Sequence, residues 1–559
     1  MALRRVVAAV SRHPLAATVA DCIAPRVAAA AGRSFAATAT DRARVAICGA
    51  GVSGLTLAGI LSTSDRFRVT IFERAHATRD QGYGLDLDKN GQEALVRAGL
   101  YDRYWDISYP WSDCTALFGL GGTEPLGVLF TPRLLMRYFP DKCGSQPETN
   151  RGALRDALLE ALATRGNCEV NYERGAFDVK EVGGDGASRA ELFDRDGASL
   201  GTYDLVIDAM GLHSTLRQYR VHDPIGKHYA NEVMIHGVIT DVEKSCPSFA
   251  KRFDRFGTVC ALGRGYQVVA QRFGGGTGDK RAVVFYAPVG FDVLDGEAGV
   301  LEQMGIERPT SRSSGIMDDE ERLDKAKAWI LSDMGGHLDE VWQDAVRALE
   351  RVTVRGNYMH GDDTTLRDGL TLPLVCIGDA PRNCGLGGGG NLLRENCLAT
   401  VGSRLLATAQ GGVATVGHGT GNLALQDANE LATLLEADDA FDETGAANLE
   451  PLRAAEAVMF ERKSAFHEER TARMAATTHL VTNVGRGPYE WNDVRDGYSP
   501  FGKGFPAWVP FPLVKFALAR LGALSKAWYA WDRKRGGGGT APGSAPLYAN
   551  VTKLLAAKK

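Results

Sequence analysis

The run RVAICGAGVSGLTLAGILSTSDRFRVTIFERA, from Arg44, sets Gly49, Gly51 and Gly54 between a β-rich start and an apolar helical stretch. A second β-rich run then ends in an acid, Glu73. This order suits the chemistry of a dinucleotide site. The first glycine permits a tight turn, the second lets a pyrophosphate approach the backbone at a helix N-terminus, and the third lets helix and strand pack closely. The acid accepts hydrogen bonds from ribose hydroxyls. With 66 glycines in 559 residues, the spacing alone arises by chance about once in such a chain, so the motif draws its specificity from context. That context is the strand before, the helix after, and the acid nineteen residues beyond Gly54. Either FAD or NAD satisfies it.

Four further segments follow in order: RDQGYGLDLDKNGQEALVRAGLYDRY from Arg79, NRGALRDALLEAL from Asn150, YDLVIDAMGLHSTLR from Tyr203 and LPLVCIGDA from Leu372. Through these, from about Arg44 to about Arg473, the chain resembles the FAD-dependent monooxygenases of the aromatic-hydroxylase fold. Among them it is most similar to the tetracycline-inactivating flavin monooxygenases. The resemblance implies that Glu73 and Arg74 hold the adenosine end of FAD, that Asp86 lies by the flavin, and that Arg151 contacts the cofactor. It implies that Gly378 and Asp379, at the end of the apolar run LPLVCI, bind the ribityl chain. Arg79 matches a position used toward NADPH or NADH, and His236 a position that contacts substrate. The chain departs from the family pattern at Met210, where an acid is usual, and at Asp208, where glycine is usual.

In the resembled family one GxGxN run faces the isoalloxazine, its Asn starting a helix with an acid five residues on. Two runs compete here. IGDAPRNCGLGGGGNLL, from Ile377, has Asn391 but carries Asn396 in place of the acid. GHGTGNLALQDA, from Gly417, has Gly419, Gly421 and Asn422, with Asp427 in place. The second run is assigned to the flavin, and residues 381–412 then read as an insertion.

These readings predict an α/β chain. A Rossmann-like, doubly wound FAD-binding domain (41–225 and 366–436) is interleaved with an antiparallel-sheet substrate domain (226–365, with a piece near 85–140). A helical C-terminal region (437–535) and a flexible tail (536–559) follow. The alternating runs EVMIHGVIT, GTVCALG, YQVVAQRF and RAVVFYAP carry the sheet signal.

The implied activity uses NAD(P)H and dioxygen to hydroxylate a small aromatic, enolic or polycyclic substrate through a flavin hydroperoxide; no catalytic acid or base is assigned. An FAD-dependent dehydrogenase, reductase or oxidase on the same fold is the alternative that Met210 favours, and a non-catalytic flavin-binding protein is another.

Composition bounds the partners. The chain has 64 basic and 68 acidic side chains, which leaves no basic excess for nucleic acid. Its ten cysteines contain no CxxC pair, against a zinc site or a secreted disulfide scaffold. Residues 1–40 hold five arginines and one acid among Ala, Val and Ser, the composition of a mitochondrial transit peptide, which a plastid address shares. No run has the roughly 18 apolar residues of a membrane span. The stretch from Leu513 to Trp531 is amphipathic, the pattern of a helix lying on a membrane surface or docked on the protein body.

Overall fold

The computed structural model describes residues 42–382, less short stretches of which 131–147 is the longest, and residues 420–483. The transit-peptide reading, most of the 381–412 insertion, the amphipathic stretch at 513–531 and the tail lie outside the described residues. So do Arg79 and Gly419.

A five-stranded parallel sheet organises the first unit. Its elements are β1 (Ala43–Cys48), α1 (Val52–Leu61), β2 (Phe67–Phe72), α2 (Arg151–Ala163), β3 (Cys168–Asn171), β4 (Leu205–Asp208) and β5 (Leu374–Cys376). Two helices, α3 (Thr420–Leu435) and α4 (Leu449–Asn483), follow. The strands lie in the order β5-β4-β1-β2-β3, every pair parallel. Strand order therefore reverses at β1, and the C-terminal ends of β1 and β4 frame the crevice where open α/β sheets bind ligands.

Alternation along the strands buries both faces. Val45, Ile47, Val69 and Ile71 pack with α1, α2 and α3 in one apolar cluster. Ala46, Cys48, Val206 and Leu374 point the other way. There they meet a three-stranded antiparallel sheet of Asp178–Gly184, Ala187–Phe193 and Ser199–Tyr203, so strands rather than helices cover that face.

The second sheet has eight strands. The runs read as antiparallel become Lys227–Ile239, Thr258–Gly263, Tyr266–Arg272 and Ala282–Pro288, with Arg351–His360 on the far side of Lys227–Ile239. Cys114–Gly119 and Pro125–Phe130 extend it, the former joining Thr258–Gly263 in parallel. Helices Glu320–Met334 and Glu340–Arg347 bury one face through Ile330, Trp342 and Val346. Asp319 and Asp339 cap these helices by accepting from the backbone N–H of Arg322 and Trp342. Among the described residues no helix is long and apolar enough to cross a membrane.

Candidate functional site

The three glycines of the β1–α1 turn differ in what surrounds them. Gly49 has φ +110°, and a Cβ there would meet the Ala209 carbonyl oxygen at 2.6 Å. At Gly54 a Cβ would strike the Gly49 carbonyl oxygen and press on Ile47. At Gly51 a Cβ would meet nothing within 4 Å. Two glycines are thus required by packing within the protein, and the third faces open space at the start of α1. Gly51 is also the N-cap of α1, with no side-chain cap and no acid in the first turn. The N–H groups and positive dipole end of that helix are open to an anion, as a pyrophosphate requires.

Glu73 stands just past β2 and is half-buried. Its carboxylate accepts from Ala50 N at 2.9 Å and Ala75 N at 2.8 Å, which fixes it beside the glycine turn with further acceptor capacity on both oxygens. Arg74 is exposed. Asp86 ends the short strand Gly84–Asp86, which pairs with Glu148–Asn150 immediately before α2.

At the end of β4 the departures from the family pattern have a structural use. Asp208 is fully buried. It accepts from Met210 N at 3.1 Å, from Ser214 Oγ and from the Cys376 thiol at 3.5 Å. Burial pushes its carboxyl up to about 6, against the pull of these donors and of Arg217. Burial, then Asp208, raises the thiols of Cys48 and Cys376. The carboxylate ties down residues 210–214, and Met210 packs partly against the apolar cluster under the small antiparallel sheet.

The end of β5 is held from a distance. Gly378, at φ +62°, donates its N–H to Asp427 of α3 at 3.0 Å, and Ser53 of α1 donates to the Ala424 carbonyl at 3.0 Å. The chain on either side of residues 383–419 therefore meets at the N-terminal half of α1. Asp427 is fully buried and ion-paired with Lys463 of α4. Burial raises Asp379 despite Lys463 and Arg151, whose positive charges lower it, with Asp427 opposing them. Arg151, half-buried, opens α2 behind Asn150, which caps the helix by accepting from Ala153 N at 3.1 Å. Asp379, Arg151 and the Asp427–Lys463 pair thus converge at one end of the sheet.

Strand β5 is an edge, and α4 covers it with charge rather than with a strand. Glu456 accepts from Cys376 N at 2.9 Å and binds buried Arg220 at 2.6 Å. Arg453 donates to the Leu372 and Leu374 carbonyls. Arg217 clamps the following loop through the Ala380 carbonyl at 3.0 Å and pairs with Asp223 at 2.7 Å. Sequence reasoning missed these clamps; Arg453 and Glu456 lie in LRAAEAV, whose pairing with the apolar strand is invisible until both are placed.

The second glycine run begins α3 at this site. Asn422 is buried, its Oδ1 2.6 Å from where a Cβ on Gly91 would stand, and Gly421 lies against Leu85. The glycines within 385–390 of the first run and Asn391 lie outside the described residues. On the second sheet, Ile235 and Ile239 face the helices, and alternation turns His236 to the opposite face. There it is buried, in register with positions 285 and 353 of the neighbouring strands. Thr353 and Gln271 are further buried polar groups.

No family model matches the chain. Salicylate hydroxylase of Pseudomonas putida is 28% identical over 181 residues, covering 32% of this chain and 38% of that protein. "FAD-dependent monooxygenase azaH" of Aspergillus niger is 28% identical over 210 residues, covering 36% and 47%. The chain thus spans less than half the length of these curated relatives. A solved salicylate hydroxylase substrate complex superposes with a TM-score of 0.54 at 16% identity, covering 80% of this chain and 92% of that one. The fold is that of the FAD-binding aromatic hydroxylases, and the resemblance read from motif order stands at the level of FAD-dependent monooxygenases.

Proposed function

We propose that the protein is an FAD-dependent monooxygenase that uses NADPH or NADH and dioxygen to hydroxylate a small aromatic, enolic or polycyclic compound. The observation that carries this reading is the convergence, at the switch point of the sheet, of the open Gly51 end of α1 with the Gly378–Asp379 turn. FAD supplies the redox chemistry and the activation of oxygen when bound. The protein supplies position. Gly51 and the first turn of α1 receive the pyrophosphate, Glu73 and Arg74 the adenosine ribose, and Asp379 with Arg151 the ribityl chain. Gly421 and Asn422 at the start of α3 would hold the ring system, and the motif match gives Gly419 and Asp86 to the same end of the cofactor and Arg79 to the reductant. The buried face bearing His236 holds substrate and excludes water, which keeps the activated oxygen from being lost as peroxide.

The decisive assay follows NADPH and NADH oxidation, oxygen uptake and product mass on the purified protein across a panel of phenols and polycyclic enols. Hydroxylated product with matched oxygen uptake is expected. Reductant oxidation without oxygen incorporation for every compound would favour the dehydrogenase or oxidase reading, which the replacement of the usual acid by Met210 supports. We further propose, from the leader composition, import into the mitochondrial matrix, and from the Leu513–Trp531 pattern, peripheral membrane contact. A fluorescent fusion with and without residues 1–40 and a carbonate wash of membranes test these two points.

A further inference from the structure

On the face of the parallel sheet opposite α1, the small antiparallel sheet leaves part of β1, β2 and β3 uncovered. A groove of about 230 Å³ lies there. Arg44 and Arg68 stand directly opposite each other on β1 and β2, and Arg174 closes the far end just beyond β3. Like charges placed opposite across neighbouring strands repel and destabilise a sheet. Among the described residues, no carboxylate pairs with any of these three guanidiniums. Arg44 stacks over the buried Tyr203 ring at 5.3 Å, which fixes its position without neutralising it. Asp204, the nearest acid in sequence to Tyr203, is occupied by Arg189 at 2.9 Å and by the Arg44 backbone N–H. Thr70 and Asn171 add neutral hydrogen-bonding groups between the ends, and Phe72 and Leu200 an apolar floor. Three guanidiniums against the one lining carboxylate, Glu169, leave two positive charges.

We propose that this groove binds a phosphomonoester dianion, held between Arg44 and Arg68, with the rest of the ligand lying over Thr70 and Asn171 toward Arg174. A guanidinium pair matches the geometry and charge of a terminal phosphate, whose oxygens each accept charge-assisted hydrogen bonds. The Arg44–Arg68 end of the groove and the Gly51 end of α1 lie on opposite faces of the sheet, while Arg174 adjoins the proposed ribose site by donating its N–H to the Glu73 carbonyl at 3.0 Å, which is why the test uses the FAD-loaded protein. A nucleotide bearing a terminal phosphate and free phosphate present the same chemistry, and the test separates them.

Calorimetric titration of the FAD-loaded protein with adenosine 2′-phosphate, inorganic phosphate and adenosine tests the site. Binding of the phosphate-bearing probes and none of adenosine is expected, with affinity weakened about tenfold or more in Arg68→Thr, as loss of a charge-assisted hydrogen bond implies. Tighter binding of the nucleotide identifies a nucleotide as the natural ligand; equal or tighter binding of inorganic phosphate identifies the free anion. Arg68→Thr also relieves a like-charge pair, so without phosphate its Tm is expected to equal or exceed that of the wild type. Phosphate should then raise the wild-type Tm more than that of the variant. The proposal is overturned if neither phosphate probe binds, if adenosine binds equally, or if Arg68→Thr and Arg174→Thr both leave binding unchanged.

Discussion

The two ends of the proposed cofactor cradle are built in opposite ways. The Gly49–Glu73 end comes from one contiguous stretch, and its shape is set by backbone: a positive φ at Gly49, close packing at Gly54, and a carboxylate bonded to two nearby amides. The Gly378–Asp379 end is a short turn held by buried charge delivered from α3 and α4, with Asp427 to Lys463 and Glu456 to Arg220. A local backbone motif fails by losing space. A long-range charged clamp fails by leaving an unpaired ion in the core.

Substitutions should separate these modes of failure. The largest effect is expected at the charged end: Lys463→Met removes the nearer cation of the buried Asp427 carboxylate and leaves only Arg462, at 3.7 Å, a change that costs up to about 3–5 kcal/mol. Urea unfolding of Lys463→Met beside Asp427→Asn/Lys463→Met checks this, since the double variant carries no orphaned charge and should recover much of the loss. If the single variant is as stable as the wild type, the clamp is not what holds Gly378.

Next comes Asp208, whose raised carboxyl gives a pH signature. A buried acid titrating near 6 in the native protein and at about 3.9 when unfolded binds more protons when folded between those values, so its contribution favours folding at low pH and is lost as pH rises from about 4 to about 6. The shift corresponds to roughly 3 kcal/mol. The difference in unfolding free energy between wild type and Asp208→Asn, measured at pH 4.5 and pH 7, should therefore move toward the variant as pH rises. No change in that difference would show that Asp208 stays charged throughout.

Gly54→Ala, which forces a methyl onto the Gly49 carbonyl, should cost about 1–3 kcal/mol, the usual range for overpacking. Thermal unfolding of the flavin-free protein measures it, and an unchanged Tm would mean that the turn yields easily.

This contrast also explains what could be read from the sequence. The β1–α1 turn and the strands of the second sheet were legible because their determinants are local: glycine spacing and period-two alternation. The fold class followed from motif order. Arg217, Arg220, Arg453 and Glu456 were not legible as a group, since their partners lie many residues away and a charged side chain on an amphipathic helix looks the same whether it meets water or an edge strand. In the sequence Asp208 read only as a departure from the family's usual glycine. Its carboxylate instead pins Met210 N and Ser214, a role that depends on the placement of β5 and Cys376 beside it. The antiparallel sheet beneath β1 and β4 was overlooked for a further reason: its strands are short, and Ser, Gly and charged residues weaken the alternation.

The smallest effect on stability and the most direct test fall on Gly51, where an added methyl meets nothing of the protein within 4 Å. Gly51→Ala should leave the Tm of the flavin-free protein within the roughly 0.5 kcal/mol typical of unstrained sites, yet place that methyl where the pyrophosphate must lie. The measurement is FAD affinity, by fluorescence quenching of the free cofactor, on wild type and Gly51→Ala prepared without flavin. The expected result is tight binding of one FAD by the wild type and affinity about tenfold or more weaker in the variant, as lost backbone contacts to a charged group imply. Equal affinity in the two proteins, or no FAD binding by the wild type, would contradict the assignment of this cleft to FAD.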